Sequence, residues 1–250
     1  AILRDCGAVM LFIHDDLLAQ LQPAVPPATG VVRLAMPEAL KTDYALGTAS
    51  VPDAGTSWDD WLLPQADPVP PHPPRSSMSY TSGTTGQPKG VRREAMTPVH
   101  QQRVAEVNQV AFGLGPGART LVLTPLYHSA PNVYALNALL LGDLLVLEPR
   151  FDARRTLALI ERHRITHLYL VPTLVHRLLK LDPAERAAHD LSSLRFVLHG
   201  AAPCPAQVKR AMIDWWGPVI HEFYGGGEAG PVAAIGSADW LRKPGSVGRL

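Results

Sequence analysis

Thr81-Ser82-Gly83-Thr84-Thr85-Gly86-Gln87-Pro88-Lys89-Gly90 gathers three threonines, a serine and three glycines around one lysine. Glycines lack a Cβ and let backbone N–H groups come close to an anion. The hydroxyls add donors, and Lys89 adds a positive charge. Such a stretch is built to hold phosphate. A solvated turn of small polar residues is the plainer alternative, and ten ordered positions closing on a lysine weigh against it. A Walker A loop is excluded, because it needs Gly-Lys followed by Ser or Thr, whereas Lys89 stands between Pro88 and Gly90. Met78-Ser79-Tyr80 reads as the end of a strand feeding the loop.

The 250 residues are 46% hydrophobic and 18% charged, the balance of an ordinary folded protein that can bury a sizeable core in one or two domains. A net charge of +1 gives no drive toward nucleic acid or an anionic membrane. No apolar run reaches the length of a membrane span, and Ala1-Ile2-Leu3-Arg4 lacks a signal-peptide layout. Cys6 and Cys204 are far apart and lack metal spacing, so a reduced, cytoplasmic setting is expected. The ten histidines are scattered without an H-E-x-x-H motif, so no structural metal is expected.

Ile2 to Leu18 reads as helix end, turn and strand, with Ala8 to Ile13 a buried strand. Asp15 or Asp16 then caps a helix running to Gln22, which Pro23 to Pro27 breaks. Val31 to Leu34 is a further strand. The stretch 67–74, DPVPPHPP, is polyproline-like: a surface connection, or else a motif for a proline-binding partner. Beyond residue 95, helices are expected over 98–112, 132–141, 153–163, 173–181 and 206–216. They alternate with strands over 120–124, 144–147, 167–171, 194–198 and 219–223. This alternation predicts an α/β fold of βαβ units, a parallel sheet sandwiched by helices.

Ligands collect beyond the carboxyl ends of parallel strands. Four stretches of unusual composition fall at such ends: the loop at Thr81, Pro125-Leu126-Tyr127-His128-Ser129-Ala130, His199-Gly200-Ala201-Ala202-Pro203, and Tyr224-Gly225-Gly226-Gly227-Glu228. Small residues after His199 suit a flat purine lying on the backbone, or a tightly packed turn. Cys204 reads as a small buried residue rather than a nucleophile.

These segments, in this order, resemble the signatures of the adenylate-forming superfamily, which includes acyl-CoA synthetases, amino-acid adenylation domains and luciferase-like enzymes. The resemblance covers nearly the whole chain. It implies that Thr81, Ser82, Gly83, Thr84, Thr85, Gly86 and Lys89 hold the phosphates of ATP. It implies an adenine site of Gly200, Ala201, Ala202, Glu222, Phe223, Tyr224 and Gly225. His128 would gate an acyl pocket shared with Val171, His199, Gly225 and Gly226, and Glu228 would bind Mg²⁺. Lys89, Thr84 and Glu228 would stabilise the charge that moves during reaction.

One position departs from the pattern. The last signature usually reads Tyr-Gly-x-Thr-Glu, and Gly227 stands where the threonine hydroxyl would meet the α-phosphate. A hydrogen bond to a charged group is worth roughly 1.5–3 kcal/mol. The resemblance also implies an internal piece, part of the large domain of a chain roughly twice as long. The ribose-binding aspartate and the small C-terminal domain with its catalytic lysine would lie outside these residues.

The expected activity is that of an ATP-dependent acid–CoA ligase. A carboxylic acid, ATP and CoA would be its small-molecule partners. Tyr169-Leu170-Val171-Pro172 is apolar, where an amino-acid adenylation domain would place an acid for the substrate ammonium, so a hydrophobic acid is expected. Tyr134, His199 and the glycine run suggest a bulky or long one. A luciferase-like enzyme, an amino-acid adenylation domain and a nucleotide-binding module that has lost catalysis remain open. Two apolar helices leave room for a homodimer.

Overall fold

The computed structural model describes residues 1–43, 54–65, 77–81, 86–92 and 94–249. The chain divides into two units, Ala1–Arg93 and Glu94–Leu250.

In the first unit α1 (Ile2–Asp5), β1 (Met10–His14), α2 (Asp15–Leu21), β2 (Gly30–Leu34), α3 (Glu38–Asp43), β3 (Thr56–Ser57) and α4 (Trp58–Leu62) follow in turn. The strands pair in parallel in the order β1-β2-β3. The strand expected at Ala8–Ile13 is corrected: β1 begins at Met10, only Ile13 in it is buried, and Val9 is 81% exposed. Its position at the sheet edge explains this, with Phe12 covered only in part by Trp58 and Trp61, edge-on at 6.0 and 5.2 Å. The cap of α2 is corrected too. His14 caps it, its Nδ1 accepting the Asp16 N–H at 3.4 Å, while Asp15 and Asp16 occupy the first turn, where the helix dipole favours negative charge.

β4 (Ser79–Thr81) and β5 (Lys89–Val91) form an antiparallel ribbon in which Thr81 lies opposite Lys89. The strand expected before the loop is therefore present, with a partner that the sequence reading did not include. At Gly90 a Cβ would lie 2.8 Å from Met78 Cε and 3.1 Å from the Tyr80 ring, so a side chain there would push the end of Met78 aside. Ser82, Gly83, Thr84 and Thr85 lie outside the described residues, as does the polyproline-like stretch 67–74.

The second unit opens with α5 (Pro98–Phe112), whose first turn is capped by the Thr97 hydroxyl and whose end is closed by Gly113 at φ 67°. There follow β6 (Arg119–Val122), α6 (Ser129–Leu141), β7 (Leu144–Leu147), α7 (Ala153–Arg162), β8 (His167–Leu170), α8 (Pro172–Leu179) and α9 (Pro183–Ala187). Then come β9 (Phe196–His199), α10 (Ala206–Trp216), β10 (Ile220–Gly226), β11 (Gly230–Gly236) and α11 (Ser237–Arg242). The expected alternation is present with slightly shifted ends. α6 starts earlier than expected, at Ser129, because Pro131 sits in its first turn, where a missing N–H breaks no helical bond.

Six strands form one sheet in the order β11-β10-β9-β8-β6-β7. β7, β6, β8, β9 and β10 are parallel, and β11 returns antiparallel along β10. That hairpin was not read from the sequence. Strand alternation divides the core between the two faces. Leu121, Leu168, Leu170, Val197 and Ile220 pack with Leu157 and Ile160 of α7, Leu174 and Leu178 of α8, and Met212 and Ile213 of α10. Val122, Tyr169, Leu198 and Phe223 pack with Phe112 of α5 and Tyr134, Ala135 and Ala138 of α6. Tyr134 is wholly buried there, so it belongs to the core. The outer side of α6 leaves Leu136, Leu139 and Leu140 exposed.

Candidate active site

β6 pairs with β7 on one side and β8 on the other, while α6 and α7 pack on opposite faces. The strand order therefore reverses between β6 and β8, the point at which an open α/β sheet forms its binding crevice. Two of the predicted residues stand there. His128 ends the loop after β6, exposed, with its ring 4.5 Å from that of Tyr127. Val171 follows β8, half-buried, as the residue before α8.

Next along the carboxyl edge, β9 ends in His199 and turns through Gly200, Ala201 and Ala202. A Cβ at Gly200 would fall 2.6 Å from the Phe223 ring, so this turn lies flat on β10. Ala201 holds φ 68°, a left-handed conformation that costs an L-residue roughly 1–2 kcal/mol. On β10, Glu222 and Phe223 are buried on opposite faces, and Tyr224, beyond the helical cover, is 61% exposed. Phe223 packs edge-on to Phe112 at 5.7 Å.

Glu222 faces α10, where Lys209, 1% exposed, donates from Nζ to its Oε2 at 2.6 Å. The ammonium also lies 5.0 Å over the Trp240 ring. His199 Nε2 is 3.8 Å from the same carboxylate oxygen, beyond hydrogen-bond range. Burial, with the Lys209 charge beside it, pushes the His199 imidazole down to about 3, so it is neutral at pH 7. Burial lowers Lys209 as well, against the pull of Glu222. The half-buried Cys204 thiol is pushed up to about 11 by burial and by Glu222, which makes it a poor nucleophile. Thus His199 and Glu222, expected at the acyl pocket and adenine site, turn their side chains into an internal cluster with Lys209. Lys209 was missed. Its signal was its spacing, three residues before Met212 and four before Ile213 on the apolar stripe of α10.

The β10–β11 turn holds the remaining residues. Gly225 must be glycine, because a Cβ would lie 2.2 Å from the Gly230 carbonyl oxygen, and the register shifts beside it. Gly227 is half-buried and keeps φ outside the left-handed region. Glu228 is exposed at the tip. One free-standing carboxylate fits Mg²⁺, which takes one or two carboxylates and completes its shell with substrate phosphates and water. Among the described residues no group of three or more His, Cys, Asp or Glu could hold a metal.

In the first unit, Lys89 and Gly86 are exposed and Thr81 is half-buried. The ribbon brings the two ends of the signature side by side. A cavity of about 730 Å³ in the second unit is lined by Phe196, His221, Ala234 and Arg242, among others. Phe196 is at the amino end of β9, so this cavity lies away from the carboxyl edge, and no predicted site residue lines it.

The AMP-binding enzyme family matches residues 1–250, and the chain belongs to that family. It is similar to the indoleacetate–CoA ligase of Aromatoleum aromaticum, 32% identical over 256 residues, covering 99% of this chain and 46% of that protein. It is also similar to 4-coumarate–CoA ligase 1 of Oryza sativa subsp. japonica, 39% identical over 168 residues, 64% of this chain and 28% of that one. Among solved structures, an amide bond synthetase from Marinactinospora thermotolerans superposes with a TM-score of 0.70 at 28% identity, covering 96% of this chain and 45% of that chain. The chain thus spans less than half the length of these relatives. Among the described residues no helix is long and apolar enough to cross a membrane.

Proposed function

We propose that the protein containing this chain is an acid–CoA ligase, which activates a hydrophobic carboxylic acid with ATP and transfers the acyl group to CoA. The observation that carries the reading is the order of the four signature segments along a chain matched over its whole length by the AMP-binding family. The names of the relatives support the choice of CoA as acceptor. Residues 1–250 form part of the larger, nucleotide-binding domain in this reading.

A carboxylic acid is already ionised at neutral pH, so no base is required. Its oxygen attacks the α-phosphorus, pyrophosphate leaves, and the CoA thiol then displaces AMP from the acyl-adenylate. The chain's residues act by positioning and by offsetting charge. Thr81, Ser82, Thr84, Thr85 and Lys89 hold the β- and γ-phosphates, with Gly83 and Gly86 allowing close approach. The turn 200–202 and Tyr224 receive adenine. His128 and Val171 flank the acyl group, and an apolar Val171 suits a hydrophobic chain better than an ammonium. Glu228 would hold Mg²⁺, which when bound would supply positive charge to offset that of the phosphates.

The test is acid-dependent ATP–pyrophosphate exchange by the full-length protein, with aromatic, fatty, alicyclic and amino acids. Exchange with a hydrophobic acid and formation of its CoA thioester are expected. Exchange with an amino acid alone would move the protein to the adenylation domains. Retained Mg²⁺-ATP binding without exchange would leave a nucleotide-binding module. The similarity to an amide bond synthetase supports a second reading, in which an amine accepts the acyl group. Product analysis with CoA and amines side by side separates the two.

A further inference from the structure

His199 and Glu222 form the last cross-strand pair of the β9–β10 ladder. Beyond this rung the strands part, one into the turn 200–202 and the other into Tyr224. Ala201, Ala202 and Tyr224 are exposed, and the turn has no side chain larger than a methyl group to anchor it. Gly200 lies against the Phe223 ring, so the turn follows wherever β10 carries that ring. β11 pairs with β10 on its other side, but the register shifts just after Tyr224. The placing of the turn and Tyr224 therefore depends on the rung before them.

That rung is held from behind by a charge. Lys209, in the first turn of α10, donates from Nζ to Glu222 Oε2 at 2.6 Å, and its ammonium lies 5.0 Å over the Trp240 ring of α11. One buried cation thus ties the end of β10 to two helices. Stability alone gives no reason for a charge here, since a buried ion pair replaced by apolar groups of similar volume is often neutral or better. A charge-assisted hydrogen bond does supply a fixed length and direction, which apolar contacts lack.

We propose that Lys209 is a positioning residue for nucleotide binding. Through Glu222 it fixes the last rung of β9 and β10, and so sets the turn 200–202 and Tyr224 at the separation that the adenine ring requires. Adenine is the occupant on the adenylation reading above, on which this role rests. Lys209 itself touches no substrate, and its buried charge acquires a task beyond the core.

The test compares the full-length parent with two double variants, Lys209→Met/Glu222→Leu and Lys209→Leu/Glu222→Val. Both remove the pair without leaving a buried charge, so their unfolding midpoints should stay near that of the parent. AMP affinity is measured by calorimetry, and KM for ATP and the limiting rate by acid-dependent exchange. AMP should bind roughly tenfold more weakly and KM for ATP should rise by a similar factor, while the limiting rate changes less. Glu222→Gln keeps an acceptor for Lys209 in the same place and should retain most of the affinity. A folded apolar pair that binds AMP like the parent overturns the inference, because packing then suffices. Two apolar pairs that fail to fold also overturn it, since the charge would then serve the fold, and so does a Glu222→Gln protein as weak as they are. Exchange by the parent, with AMP affinity unaltered in the apolar pairs, would sink this inference and leave the ligase reading standing. A parent that binds AMP in a Lys209-dependent way and never exchanges would do the reverse.

Discussion

Lys89 and Lys209 carry the same side chain into opposite surroundings. Lys89 lies exposed on a two-stranded ribbon, opposite Thr81, where its ammonium stays hydrated and available to an incoming anion. Lys209 lies on the buried face of α10, held by Glu222 and Trp240. The first belongs to a segment whose residue types announce a ligand. The second is fixed by packing, and its charge is neutralised within the protein. A lysine in a glycine-rich loop and a lysine on an apolar helix stripe thus perform different work, and the same substitution should separate them.

The largest expected effect is on stability. Lys209→Met leaves the Glu222 carboxylate buried without its cation and should cost about 3–5 kcal/mol in denaturant unfolding. Adding Glu222→Leu should recover most of it, since a buried pair replaced by apolar groups is often neutral. Lys89→Met should stay within about 0.5 kcal/mol of wild type. A Lys209→Met protein as stable as the parent would erase the contrast. On activity the order reverses: Lys89→Met should lower acid-dependent exchange roughly 10²–10³-fold at unchanged unfolding midpoint.

Protonation probes the buried side again. His199, at about 3, and His221, at about 4, are both depressed mainly by burial and then by Lys209, so the unfolded chain binds more protons below its ordinary pKa of 6.5. Their contribution to stability is complete above pH 6.5 and is lost as pH falls toward 4 and then 3. Each should add a slope of about 1.4 kcal/mol per pH unit in that window. Unfolding measured at pH 7, 6 and 5 should show it, and His199→Gln should flatten it. A flat profile in the parent protein would mean that these rings are hydrated.

The smallest effects sharpen the glycine turn. Gly225→Ala, forced against the Gly230 carbonyl, should cost about 1–3 kcal/mol. Gly227→Ala, which among the described residues meets only the Ser129 hydroxyl at an ordinary contact distance of 3.8 Å, should change stability by less than about 0.5 kcal/mol. Equal losses at both positions would remove the distinction between a glycine required by geometry and one that geometry merely permits.

Much of the second unit was legible in advance. Apolar runs such as Leu144–Leu147 and helical stretches such as Ala206–Trp216 are local patterns, and they ended where glycine and proline stop them. The β11 strand was not legible, because Gly227–Gly230 reads as a site loop and nothing local says that the chain then doubles back. The Ala8–Ile13 run looked buried because apolar residues usually are, but an edge strand leaves them exposed. At the site, His128 and Val171 fell at the crevice because strand order put them there. His199 and Glu222 shared the right segments, yet strand alternation turned their side chains toward α10.

By itself the sequence determined the alternation of strands and helices and the chemical inventory of the loops, since periodicity, hydroxyls and glycines act over a few neighbouring residues. Tertiary structure alone decided which of those groups face outward and which face one another. Lys209 meets Glu222, and Ser129 comes beside Gly227, only once helices pack on the sheet and its carboxyl edge gathers residues far apart in the chain. Such proximity depends on long-range pairing and burial, which local sequence pattern does not encode.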